Sequence, residues 1–116
     1  MTNVTAACRI LFWPLVLGVG ILSVLPTDAI PSEFMFWDKA QHTLGFAILT
    51  LMGLMAYGRG SRGLLLGILA YGALIEIVQH FLPWRHGDLL DFLADALGVA
   101  VIVALSRCQK NLSKRL

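Results

Sequence analysis

Charged residues are scarce in this chain of 116 residues: they make up 14% of it, whereas hydrophobic residues make up 58%. An ordinary soluble domain carries about 25% charged residues, so the chain is too apolar for that class. Its net charge of +2 is too small, and its basic residues too scattered, for a nucleic-acid-binding surface. The composition predicts one integral membrane domain over residues 1–116, with the lipid bilayer as its surroundings.

Cysteine is almost absent as well. Cys8 and Cys108 lie near the two ends of the chain, and neither belongs to a paired motif that binds zinc or performs redox chemistry. We predict two free thiols, because the topology given below places both on the reducing cytoplasmic side. The sequence has no HExxH motif, and its serines and cysteines lie mostly away from its polar cluster, which argues against a catalytic triad.

Long apolar runs are what the sequence has in abundance. A helix needs about 20 apolar residues to cross the hydrocarbon core, and four windows near that length are bounded by charge, Pro or Gly. A cleaved signal peptide is the alternative for the first window, but only Arg9 precedes that apolar run and no small-x-small cleavage site follows it. We therefore predict an all-α membrane bundle of four helices, at about residues 8–25, 37–57, 63–82 and 89–106.

Lys and Arg set the predicted orientation, because short cytoplasmic loops retain an excess of them. Arg9 precedes the first helix, and Arg59 and Arg62 lie between the second and third. Four more follow the fourth helix: Arg107, Lys110, Lys114 and Arg115. All of these fall on one side, so we predict that both termini are cytoplasmic.

This orientation brings polar residues from three helices to one depth near the outer face. On each helix they are three or four residues apart and so share a face. Burying them in lipid would cost several kcal/mol per charged group, so the second, third and fourth helices should surround a common polar pocket. The predicted ligand-binding residues are Asp38, Lys39, His42, Glu76, Gln79, Arg85, Asp88, Asp91 and Asp95.

The turn after the third helix supplies the expected cap of this pocket. Pro83 cannot continue the helical hydrogen bonds, so it ends the helix and allows Arg85 to fold back over the carboxylates. Lys39 and Arg85 are the only fixed cations among five acids. Some of these carboxyl groups must therefore be protonated, paired with His42 or His80, or neutralised by a bound cation.

Three kinds of function remain open at this point. The pocket binds a ligand; or it catalyses a reaction, with Glu76 or Asp91 as general base and His42 as its partner; or its polar network only holds the helices together. Our leading expectation involves no cofactor. A divalent metal is the less favoured alternative, with ligands drawn from His42, Glu76, His80, Asp91 and Asp95.

The polar residues form an ordered set of motifs over about residues 38–98, more than half of the chain: Asp38-Lys39-x-x-His42, Glu76-x-x-Gln79, Pro83-x-Arg85 and Asp88-x-x-Asp91-x-x-x-Asp95-x-x-Gly98. This ordered set resembles the VanZ-like family. The family's last polar position is commonly Asn, so Asp95 makes this pocket more acidic.

The resemblance implies a multipass protein of the bacterial inner (cytoplasmic) membrane. Some relatives contribute to resistance against the glycopeptide teicoplanin, but the resemblance supplies no reaction. We therefore expect the ligand to be a lipid or glycan headgroup of the cell envelope, bound by Arg85 and Lys39 at its anionic groups and by the carboxylates at its donors.

Overall fold

A computed structural model describes residues 2–26, 35–85 and 88–116, and for residues 35–38 it describes the helical backbone only. The described part of the chain is all-helical, as predicted. The four helices are α1 (Asn3–Val24), α2 (Met35–Tyr57), α3 (Arg62–Phe81) and α4 (Leu89–Arg115).

The end of α4 is the largest departure from the predicted bounds. We expected the helix to end near Ser106, but it continues to Arg115. Residues 107–115 contain no Gly or Pro, and Lys, Arg, Gln and Leu are good helix formers. The basic tail is therefore an extension of the helix and not a coil.

Local sequence explains where the helices begin and end. Thr2, Ser61 and Asp88 are the N-caps of α1, α3 and α4, and each accepts a hydrogen bond from a backbone N–H in the first turn. Gly58 follows α2 with a φ of 98°, a left-handed conformation that glycine adopts without strain and that ends helices.

Three of the helices, α1, α3 and α4, are long and apolar enough to cross a membrane. Large apolar side chains on these helices point outward, among them Phe81 at 80% exposure and Ile10 and Leu89 at 72% each. Extended apolar surface of this kind is typical of a protein that contacts a membrane or another protein.

The helices alternate in direction, and side-chain contacts fix which ends meet. Arg9, near the start of α1, donates from Nε to the carbonyl of Ala56 near the end of α2, at 2.9 Å. Arg59, just after α2, donates to Gln109 in the last part of α4, at 3.0 Å. The basic residues near the start of α1, after α2 and late in α4 therefore gather at one end of the bundle, which we call the basic end.

Helix α2 lies at the centre of the bundle. It packs on α1, α3 and α4, most extensively on α4, whereas α1 and α4 have no contact within the described residues. A buried apolar cluster from all four helices fills the space between them: Phe12, Phe46, Leu49, Ile68, Ile75 and Val99. Cys8 is buried, Cys108 is exposed, and both are free thiols.

Close backbone approach between α2 and α4 depends on Gly98. A Cβ atom at this position would overlap the carbonyl oxygen of Thr43 and come within 3.1 Å of the backbone nitrogen of Ala47. The Thr43 hydroxyl also donates to the carbonyl of Ala94 on α4, at 3.1 Å. The two helices are thus in backbone contact one turn away from the polar residues of the site.

Candidate functional site

Polar side chains from α2 and α4 meet at the end of the bundle opposite to the basic end. The Nζ atom of Lys39 lies 2.8 Å from Oδ1 of Asp91 and 3.5 Å from Oδ2 of Asp88. The side chains of Lys39 and Asp88 are 37% and 46% exposed, whereas that of Asp91 is only 8% exposed. We call these three residues the rim; within it, the lysine ammonium compensates the buried carboxylate of Asp91.

A second group lies deeper between α2, α3 and α4. His42, Glu76 and Asp95 each place one metal-ligating atom within 4.8 Å of the others. Nδ1 of His42 lies 3.2 Å from Oδ1 of Asp95, a hydrogen-bond distance when that nitrogen carries the proton. His42 and Asp95 are 8% and 1% exposed. We call these three residues the inner cluster.

Glu76 connects the inner cluster to the rim. Its Oε2 atom accepts a hydrogen bond from the backbone N–H of Asp88 at 3.1 Å. Its Oε1 atom is buried and has no hydrogen-bond partner within the described part of the chain. The carboxylate is therefore oriented through one oxygen, while the other is buried without a hydrogen bond from any described residue.

Asp88 also organises the start of α4. Its side chain accepts a hydrogen bond from the backbone N–H of Leu90 at 3.0 Å, as an N-cap does. This bond, together with the nearby Lys39 ammonium, holds the pKa of the Asp88 carboxyl below its usual value. Asp88 is thus a fixed negative charge of the rim at neutral pH.

A glycine on α3 makes room for the inner cluster. A Cβ atom on Gly72 would lie 3.4 Å from Oδ2 of Asp95 and 3.2 Å from the ring of Phe46. Glu76 follows one turn later on the same helix face. The absence of a side chain at Gly72 thus allows α3 to approach the Asp95 carboxylate closely.

The last turn of α1 forms a further wall at this end of the bundle. Its carbonyl groups lack helical partners of their own. The Gln79 amide donates to the carbonyl of Ser23 at 2.6 Å, and the indole N–H of Trp84 donates to that of Val24 at 2.8 Å. Side chains from the end of α3 and from the turn that follows it therefore cap α1.

Arg85 joins this capping group. Its guanidinium donates to the carbonyls of Leu25 and Leu22, at 3.0 Å each. We predicted that Arg85 covers the carboxylates of the pocket, and its hydrogen bonds with the end of α1 do not test that placement. The carbonyls form a dense group of acceptors there, which is why a guanidinium with several donors binds them.

The residues predicted to bind metal or to act in catalysis do not all lie together. His80 is exposed, with its ring packed edge-on against Phe81, and it lies outside the inner cluster. Asp91 contacts Lys39 in the rim, so the carboxylates that accompany His42 are Asp95 and Glu76. The side chain of Asp38, which we predicted to bind ligand, lies outside the described residues.

The α1 carbonyls are the part of this region that sequence reasoning missed. Backbone carbonyl groups have no sequence signature, so the sequence of an apolar helix does not predict that its last carbonyls will accept hydrogen bonds from other helices. The one available indication is that three side chains with strong donors, Gln79, Trp84 and Arg85, occur within seven residues at the end of α3.

A separate concavity lies on another part of the surface, between α1, α2 and α3. It has a volume of about 490 Å³ and is lined almost entirely by apolar and aromatic side chains, including Phe12, Leu64 and Tyr71. None of its described lining residues is charged. The rim and inner cluster are therefore the stronger candidate for a site with polar chemistry.

Fold and site together define an all-helical protein with helices of membrane-spanning length and a buried polar cluster at one end. Comparison with protein-family models, with curated proteins and with solved structures finds no match for the chain.

Proposed function

We propose that this chain is a VanZ-like protein of the bacterial cytoplasmic membrane, with four spanning helices and both termini in the cytoplasm. The lengths and apolar surfaces of α1, α3 and α4 support membrane insertion. The basic end, with Arg9, Arg59 and the last turns of α4, supports the orientation, because positive residues are retained on the cytoplasmic side. The rim then lies at the outer face.

The function is recognition of a cell-envelope headgroup, from a lipid or a glycan. One observation carries this proposal: Lys39 and Asp88 lie side by side, 3.5 Å apart, and both are partly exposed at the rim. The ammonium has three donors and the carboxylate only acceptors, so the pair matches a headgroup that carries both phosphate and hydroxyl groups. As in some relatives, the same activity would affect teicoplanin susceptibility.

Phosphatidylglycerol is the appropriate first probe, because its headgroup contains a phosphate and two hydroxyls. Native mass spectrometry of the purified protein should show a bound phosphatidylglycerol molecule that phosphatidylcholine does not replace. Lys39→Met should lower the bound fraction by at least about fivefold, since the loss of one charge-assisted hydrogen bond is worth about 1.5–3 kcal/mol.

Lys39→Arg is the matched control, because it keeps the positive charge and the donors at the rim. It should retain most of the binding. Equal binding of both lipids by the wild-type protein, or equal binding of phosphatidylglycerol by Lys39→Met and wild type, would contradict headgroup recognition at the rim. Unchanged teicoplanin susceptibility in cells that express the protein would remove the resistance role.

A second candidate function is that of a membrane-embedded hydrolase or transferase. The observation in its favour is the 3.2 Å separation of His42 and Asp95, because a carboxylate beside an imidazole is the usual arrangement for an acid–base pair. Glu76 supplies a further carboxylate at the same place. The test is prolonged incubation of the protein with phosphatidylglycerol and with envelope glycolipids. If both are recovered unchanged, this function is excluded for those substrates.

A further inference from the structure

The inner cluster combines ligand types that a transition metal prefers. One imidazole and two carboxylates, from α2, α3 and α4, bring one ligating atom each to within 4.8 Å of the others. Zinc sites with an open position for water or substrate commonly use three protein ligands from histidine and carboxylate side chains. Three ligands from three helices would leave such a position open.

The spacing within the inner cluster is close to that of a metal site. In a tetrahedral site with bonds of about 2.1 Å, neighbouring ligand atoms are about 3.4 Å apart. Nδ1 of His42 and Oδ1 of Asp95 are already 3.2 Å apart. Reducing the largest possible separation, 4.8 Å, to this spacing requires a shift of at most about 1.4 Å.

Glu76 gives an independent indication that a ligand belongs here. Its Oε1 atom is buried without a hydrogen-bond partner in the described chain, and a buried acceptor left in this state is costly. Its Oε2 atom is held by the backbone N–H of Asp88. Metal-binding carboxylates are typically oriented in this way, with one oxygen hydrogen-bonded and the other directed to the ion.

The charges of the inner cluster also favour a bound cation. Two carboxylates share a space that lies about one to two turns below the exposed rim, at a depth where charged groups are poorly solvated. Lys39, the described lysine of this region, is already bound to Asp91 and Asp88. A divalent cation would bind both carboxylates at once, and it would take His42 in its neutral form, the form that binds metal.

We propose that His42, Glu76 and Asp95 bind one divalent transition-metal ion of the zinc class. The imidazole ligand favours Zn²⁺ over Mg²⁺ and Ca²⁺, which take oxygen ligands. The ion would lie beneath the rim and face it through its open position. The site uses none of the rim residues Lys39, Asp88 and Asp91 as ligands, so it does not depend on headgroup recognition being correct.

Zinc titration of the full-length protein tests this proposal. The protein should carry no affinity tag, since a histidine tag binds zinc, and it should carry Cys108→Ser to remove the exposed thiol. After treatment with a chelator, it should take up one equivalent of Zn²⁺ and not of Mg²⁺. X-ray absorption at the zinc edge should show nitrogen and oxygen ligands from one imidazole, without sulfur.

Asp95→Asn and Glu76→Gln should each weaken zinc binding by at least about tenfold, because loss of even an outer-shell partner of a metal ligand has effects of 10–100-fold. Both substitutions keep the shape of the side chain. Helicity by circular dichroism and a single gel-filtration peak will show that the variants fold, so that reduced binding reports on the site.

Asp91→Asn is the matched control: it removes a buried carboxylate one turn away on the same helix. It should change the zinc affinity by no more than about threefold, since Lys39 already compensates this charge. The proposed metal site would be overturned if the protein fails to bind zinc or if the absorption data show a sulfur ligand. It would also be overturned if Asp91→Asn weakens zinc binding as much as Asp95→Asn does. Retained phosphatidylglycerol selectivity without zinc binding would overturn the metal site alone, and the reverse result would overturn headgroup recognition alone.

Discussion

The contact between α2 and α4 at Gly98 gives a sharp test of the packing that supports the site. In Gly98→Ala the new methyl group would overlap the carbonyl of Thr43 and approach the backbone of Ala47. These are backbone atoms, which cannot rotate away as a side-chain end could. We expect α2 and α4 to move apart by about 1 Å to reach ordinary van der Waals separation.

Overpacking of this kind typically destabilises a protein by about 1–3 kcal/mol. Alanine also has a higher helix propensity than glycine, by up to about 1 kcal/mol, which would mask part of the steric effect. Gly67→Ala is the matched control, because it makes the same exchange inside α3 at a position with no neighbouring atom within 4 Å. The difference between the two variants isolates the steric term.

Equilibrium unfolding in mixed detergent micelles measures this difference. Gly98→Ala should be less stable than Gly67→Ala by about 1–3 kcal/mol. It should also weaken zinc binding, because Asp95 lies one turn before Gly98 and would move away from His42. A difference in unfolding free energy below about 0.5 kcal/mol would refute the close approach, since ordinary surface substitutions have effects of that size.

Two further predictions concern the rim and the orientation. Lys39→Met should destabilise the protein more than Asp91→Asn, because it leaves the buried carboxylate of Asp91 without its cation. A double-mutant cycle of the two substitutions should give a coupling free energy of about 1 kcal/mol. A coupling near zero would contradict the ion pair. In intact cells the exposed Cys108 should react only with membrane-permeant thiol reagents. The buried Cys8 should react slowly with both permeant and impermeant reagents. Labelling of Cys108 by an impermeant reagent would reverse the proposed orientation.

The four helices were predictable because each of them contains a long apolar run, which is the property that the prediction used. The bounds of α2 and α3 agree with the prediction within two residues. The end of α4 did not follow from this property, because residues 107–115 are polar and form helix through their intrinsic propensity. A search for apolar windows necessarily ends where the apolar residues end.

The meeting of α2, α3 and α4 was predictable for a related reason, since charged stripes on lipid-exposed helices must face one another. How the residues pair within that group was not predictable. Helix periodicity places Asp91 and Asp95 on the same face of α4, but only the register between α2 and α4, fixed at Gly98, decides that Lys39 meets the first and His42 the second. Sequence patterns within one helix carry no information about that register.

The capping of α1 has a consequence for how the chain is made. The last carbonyls of α1 leave the ribosome about 60 residues before Trp84 and Arg85, the side chains that bind them. During that interval the described side chains that bind these carbonyls have not yet been made. The final turn of α1 should therefore stay frayed in the nascent protein and become ordered only after α3 and the turn that follows it have been synthesised, so that this wall of the site forms late.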